Sequence, residues 1–114
     1  MPSDLKVLFL TREYPPDVYG GAGVHVEYLS RELARLTPVE VRTFGEQNLR
    51  IGSLTVRGFH TARPDHRETV EKFSPTLEAL RVGLGFVEAP IDAAIVHCHT
   101  WYAHFGGLLA KLVY

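Results

Sequence analysis

Arg12-Glu13-Tyr14-Pro15-Pro16-Asp17-Val18-Tyr19-Gly20-Gly21-Ala22-Gly23-Val24-His25 stands between an apolar run, Val7 to Leu10, and a helical pattern beginning near Val24. An apolar strand, a Pro-stiffened loop, a cluster of glycines and then a helix can bring bare backbone N–H groups up to an anion. Gly20, Gly21 and Gly23 leave no Cβ in a ligand's way and tolerate positive φ. The first turn of the helix adds unpaired N–H groups and the positive end of its dipole. The bland counterpart is a tight strand-to-helix turn with no ligand, although such a turn rarely needs so many glycines.

Upstream, Leu5 to Leu10 is nearly all apolar, which suits a strand buried on both faces at the centre of a parallel sheet. Pro15 and Pro16 fix φ and restrict Tyr14, so the loop is expected to be stiff. Downstream, Val26, Leu29, Leu33 and Leu36 fall at helical spacing over 23–36, with Glu27, Arg31, Glu32 and Arg35 on the other faces. Thr37-Pro38 stops that helix. Val39 to Phe44 predicts a second strand, Gly45 to Gly52 a polar connection, and Leu54 to Phe59 a third strand near a sheet edge. Thr61 to Lys72 is charged and predicts an exposed loop. Ser74 is a candidate N-cap with Pro75 at the first helical position. Leu77, Leu80, Leu84 and Val87 repeat at helical spacing, while Gly83 and Gly85 each cost roughly 1 kcal/mol against Ala. Ala93 to Cys98 predicts a fourth buried strand. From Trp101 a last helix follows, with Leu108, Leu109, Leu112 and Val113 as its expected buried side.

The order β-α-β-β-α-β-α predicts an α/β fold: a Rossmann-like, doubly wound, mostly parallel sheet. In such sheets the ligand lies beyond the carboxyl ends of the strands, where strand order reverses. If the first and fourth strands are neighbours, the glycine loop and His97-Cys98-His99 face one crevice. At 114 residues, with 46% apolar and 22% charged residues, the chain has room for one soluble globular domain. A net charge of −1 gives no electrostatic case for nucleic acid or an anionic membrane. No apolar run is long enough for a membrane span. Cys98 is the single cysteine, so no intrachain disulfide forms and a cytoplasmic setting is expected. The apolar close Leu112-Val113-Tyr114 predicts an exposed edge, open to self-association, and a chain that is the front part of a larger molecule.

The glycine loop departs from a dinucleotide fingerprint, because Val26 stands where the third glycine would be and no acidic residue closes the second strand. His97 and His99 share one side of a strand, but Cys98 points the other way and no carboxylate accompanies His104, so no metal is expected. His97 is expected as a buried imidazole satisfied by a backbone hydrogen bond. His99, at the strand's carboxyl end, can hydrogen-bond a ligand hydroxyl as a neutral imidazole. Trp101 either packs at the helix start or lines a sugar cleft with its aromatic face. His25 either reaches that cleft or is solvated. Glu13, Asp17 and Glu27 show no pairing suited to acid–base hydrolysis.

Three stretches carry a resemblance: Arg12-Glu13-Tyr14-Pro15-Pro16, Tyr19-Gly20-Gly21-Ala22-Gly23-Val24-His25-Val26, and Val96-His97-Cys98-His99-Thr100-Trp101-Tyr102. Together they resemble the N-terminal end of retaining glycosyltransferases with two Rossmann domains (GT-B), and more narrowly the bacterial glycogen synthase and α-maltose-1-phosphate synthase group. The resemblance implies that 1–114 is the N-terminal portion of the acceptor-side domain, with the C-terminal nucleotide-sugar domain absent. It implies glucose transfer, with retention, from a nucleotide-diphosphate donor to a glucan or sugar-phosphate acceptor, as in glycogen or α-glucan synthesis, with no metal cofactor. Gly20, Gly21 and Gly23 would approach the donor phosphates, Trp101 the substrate, and His99 would orient the reacting sugar. The fragment alone would be inactive, because its cleft has one wall. Two other readings compete: a stand-alone nucleotide- or flavin-binding module, and a non-catalytic interaction unit.

Overall fold

A computed structural model of the chain describes residues 5–60 and 71–114. It contains β1 (Val7–Thr11), α1 (Gly21–Leu33), β2 (Val39–Phe44), β3 (Asn48–Ile51), β4 (Leu54–Phe59), α2 (Ser74–Glu88), β5 (Ile95–Cys98) and α3 (Trp101–Val113). The five strands form one sheet in the order β3-β4-β2-β1-β5. All pairs are parallel except the β3–β4 hairpin. β1 lies between β2 and β5, with Phe9 beside Val41 and His97 and Leu10 beside Arg42 and Cys98. The first and last strands are therefore neighbours, and the doubly wound α/β architecture holds.

Side-chain alternation divides the core into two layers. Val7, Phe9, Val39, Val41, Leu54 and Val56 face Val26 of α1. Leu8, Leu10 and Phe44 face Ala79, Val82 and Phe86 of α2 and Ala103 of α3. Every residue of β1 and β2 is buried, and burying each of their valine, leucine or phenylalanine side chains contributes about 1.5–3 kcal/mol. Arg42 on β2 is 1% exposed and binds the end of α2 to the sheet. Its Nη1 donates to the carbonyls of Ala89 (2.7 Å) and Phe86, its Nη2 to that of Pro90 (2.7 Å), and its Nε to Glu40 Oε2 (2.7 Å). One guanidinium thus satisfies carbonyls that the helix leaves without partners.

Several sequence expectations are corrected. Residues 48–51 form a strand, not part of a polar connection, and β3 rather than β4 takes the sheet edge. The two-residue turn Gly52-Ser53 joins them, with Gly52 at φ 58°. The α1 helix ends at Leu33, and Leu36 is exposed in the turn beyond. Ser74 is the first residue of α2, so Phe73 holds the N-cap position, without a side-chain cap. In α2 the buried side is Ala79, Val82, Gly83, Phe86 and Val87, while Leu80 and Leu84 are exposed. In α3 it is Ala103, Gly106 and Ala110, with Leu108, Leu112 and Val113 outside. The cause is close helix packing: a Cβ on Gly83 would stand 3.2 Å from the Gly106 nitrogen. Small residues occupy that seam, and the leucines turn away. The loop expected at 61–72 falls almost wholly outside the described residues. Among those described, no helix is long and apolar enough to cross a membrane.

Candidate functional site

The carboxyl ends of β1 and β5 deliver two segments side by side, Arg12 to Gly20 and His99 to Tyr102. α2 packs against α3, which follows the second segment, and α1 rises from the first. The loop after β1 is tied down at each turn. Thr11 Oγ1 donates to the Glu13 carbonyl (2.9 Å), and Gln47 Nε2 donates to that of Tyr14 (2.9 Å). The Tyr14 hydroxyl meets Ser30 Oγ of α1 at 2.6 Å, and burial raises the phenol's pKa. The Pro15–Pro16 peptide bond is cis.

α1 starts without a side-chain N-cap, since Gly20 holds that position. Glu13 takes over the task. Its carboxylate accepts the Tyr19 N–H (2.7 Å) and the Gly23 N–H (2.9 Å), placing a negative charge at the positive end of α1. Gly23 is therefore a packing position with an engaged amide: a Cβ there would stand 2.9 Å from Val18 Cγ1 and 3.0 Å from Glu13 Cβ. Gly20 and Gly21 differ. Both are exposed, and a Cβ on either would meet nothing within 4 Å. Backbone between the two Glu13 bonds is thus open to solvent and fixed in shape.

His99 stacks on Phe9, ring centroids 5.3 Å apart, with His97 at 4.3 Å and His25 of α1 at 5.7 Å. Its Nε2 is buried and has no partner among the described residues. Burial first, then the neighbouring His97 and His25, lower its pKa to about 4. At neutral pH it is an uncharged imidazole with one ring nitrogen unsatisfied, a group suited to a hydroxyl. His25 reaches the same hollow as His99 and is exposed to solvent there. His97 is not the buried, backbone-bonded imidazole expected: it is exposed, because β5 is the outermost strand of the sheet. Cys98 points to the opposite layer, where burial raises its thiol pKa. No three His, Cys, Asp or Glu side chains among the described residues group as metal ligands.

The other wall belongs to α3. Trp101 is 51% exposed and stacks on Tyr102 at 4.0 Å. Tyr102 in turn packs edge-on against Phe44. Before them Thr100 has φ 66° and ψ 165°, a strained conformation for a β-branched residue. Arg12 places its guanidinium carbon 4.3 Å from the Tyr102 centroid and 5.4 Å from that of Tyr19, joining the glycine loop to α3.

The structure therefore gathers His99, His25 and the Gly20-Gly21 backbone near the same strand ends, with Trp101 on the flank. It adds two residues to which sequence reasoning gave no role, Glu13 and Arg12. A usable signal for Glu13 existed: Gly20 opens a helix without a Ser, Thr, Asp or Asn cap, so the acceptor had to come from elsewhere.

No protein-family model matches the chain. Over 110 residues, 96% of its length, it is 39% identical to an α-maltose-1-phosphate synthase of Mycolicibacterium smegmatis. It is 40% identical over the same length to one of Mycobacterium tuberculosis. An uncharacterised glycosyltransferase of Methanocaldococcus jannaschii is 28% identical over 109 residues, 94% of this chain. The chain spans 26% of the length of the first two relatives and 28% of the third.

Proposed function

We propose that this chain, related in sequence to a stretch of glycosyltransferases, is the N-terminal portion of the acceptor-side domain of a GT-B enzyme. The parent would move glucose, with retention, from a nucleotide-diphosphate donor to a sugar-phosphate or glucan acceptor in cytoplasmic α-glucan synthesis. No metal would be needed, and the donor's nucleotide would be held by a C-terminal domain outside these residues. The isolated chain would be inactive and free to self-associate through the outer side of β5, which pairs with no strand among the described residues.

The observation that carries this proposal is the unsatisfied Nε2 of His99, buried at the carboxyl ends of two adjacent parallel strands. A neutral imidazole there can hold a sugar hydroxyl and so orient the ring, which speeds reaction by restricting geometry. Gly20 and Gly21 let backbone approach the sugar or its phosphate without side-chain obstruction. The exposed face of Trp101 offers an apolar surface to a pyranose. Relatives named as an α-maltose-1-phosphate synthase and a glycosyltransferase support a sugar-transfer reading.

The test is a chimera in which these residues replace the matched stretch of the M. smegmatis synthase. Glucose transfer by the chimera, lost in its His99→Ala form, supports the proposal; a folded chimera without transfer overturns it. Transfer by the isolated chain would refute its predicted inactivity.

A further inference from the structure

We infer that Arg12 is an anion-binding residue of this cleft and takes a phosphate group through the outer edge of its guanidinium. The inference rests on the reading that the cleft receives a phosphorylated sugar. Arg12 is half-buried directly after β1, at the strand end where ligands of such sheets lie. Tyr102 and Tyr19 hold its charge by cation–π contact. Tyr102 is itself backed by Trp101 and Phe44, so the platform is firm.

None of the side-chain N–H groups of Arg12 donates to an acceptor among the described residues, and no carboxylate there lies within ion-pairing distance. Among the other described arginines, Arg31, Arg35, Arg42 and Arg57 each pair with a glutamate. Arg50 and Arg81, which do not, are solvent-exposed, whereas Arg12 is half-buried against aromatic rings. The carboxylate next to Arg12 in sequence, Glu13, is occupied by the Tyr19 and Gly23 amides. A guanidinium held by rings keeps its forked donors for a planar pair of oxygens, which phosphate supplies. Glu13 also sets where an anion settles. Its charge already compensates the start of α1 and repels a second anion at Gly23, so the phosphate is directed towards Arg12 and the α3 side. The neutral ring of the sugar is left to His99 on the α1 side.

Two sources could bring the phosphate: the donor's diphosphate, or a phosphorylated acceptor. The test follows the Arg12 Nε–Hε signal by NMR in the ¹⁵N-labelled chain during titrations with glucose 1-phosphate, ADP and glucose. The expected result is movement with one or both phosphate compounds and none with glucose. Response to glucose 1-phosphate alone assigns the acceptor, and to ADP alone the donor. Arg12→Gln is expected to weaken phosphate binding roughly tenfold or more, and Arg12→Lys less, since an ammonium keeps the charge but not the fork. Equal response to glucose and glucose 1-phosphate overturns the assignment, as does unchanged affinity in Arg12→Gln or, should that variant not fold, in Arg12→Lys. If glucose moves His99 and Gly21 signals while no phosphate moves Arg12, the Arg12 assignment fails and the sugar cleft stands. Silence to all three compounds overturns both.

Discussion

The ring of His99 lies 4.3 Å from that of His97, and its inner nitrogen is buried with nothing to bind among the described residues. Folded His99 titrates at about 4 against an ordinary 6.5, so between these values the unfolded chain binds more protons. Stability should therefore fall as pH drops from about 6.5 towards 4, and be unaffected by this group above that window. Burial is the larger cause, so His97→Ala should raise the His99 pKa only partway, whereas His99→Asn should flatten this part of the stability profile. Histidine titration by NMR and urea melts across pH check both. A His99 pKa near 6.5 in the folded chain would sink the idea.

Glu13→Ala should release the Tyr19 and Gly23 amides together, at a cost of about 1–3 kcal/mol. Hydrogen exchange should accelerate at those two amides, with the β-sheet unaffected. Glu13→Gln, which can still accept one bond, should show the smaller change. Uniform acceleration over the whole chain would mean that the carboxylate is not a local clamp.

Arg42→Met should cost about 3–5 kcal/mol, since it leaves the end of α2 uncapped and Glu40 with only its weaker partners. Adding Glu40→Gln should recover part of that loss. Denaturant midpoints of the two single variants and the double variant measure the coupling; strictly additive losses would contradict it.

Two glycines two residues apart in α2, and so on nearly opposite faces, should respond with opposite signs. At Gly85 a Cβ would meet Phe59 at an ordinary 3.8 Å, so Gly85→Ala should stabilise by about 0.5–1 kcal/mol. At Gly83 it would press on Phe105 at 3.1 Å and the Gly106 nitrogen at 3.2 Å. Gly83→Ala should therefore destabilise, because about 1–3 kcal/mol of overpacking exceeds the gain in helix propensity. Thermal melts of the pair decide it.

Thr100→Gly should stabilise the chain by about 1 kcal/mol, because glycine relieves a conformation costing about 1–3 kcal/mol while losing more freedom on folding. A lower melting temperature for this variant would show that the strain is offset by contacts of the threonine side chain.

The parallel sheet was legible because β1 carries no polar residue before Thr11 and α1 carries its apolar residues at one spacing. The convergence of the glycine loop with His99 followed from strand order alone. The Asn48–Ile51 strand alternates polar and apolar residues but is only four residues long, too short for its period to stand out, and as an edge strand it is exposed throughout. Its Gly52-Ser53 turn was the available hairpin signal. The buried sides of α2 and α3 were misjudged because leucine was weighted over glycine and alanine, whereas backbone approach at Gly83 and Gly106 decided which face turned inward. Long-range partners such as Glu13 with Gly23 or Arg42 with Pro90 have no periodicity and could not be read from spacing.

The placement of β1 between β2 and β5 has a consequence for synthesis on the ribosome. Its outer edge is completed only by Ile95–Cys98, some ninety positions later in the chain. Until those residues emerge, Leu8 and Leu10 stay without their full cover, and parallel pairing over so long a separation is slow to form. A nascent chain halted before Ile95 should therefore need a chaperone, although most of its sheet has already been made.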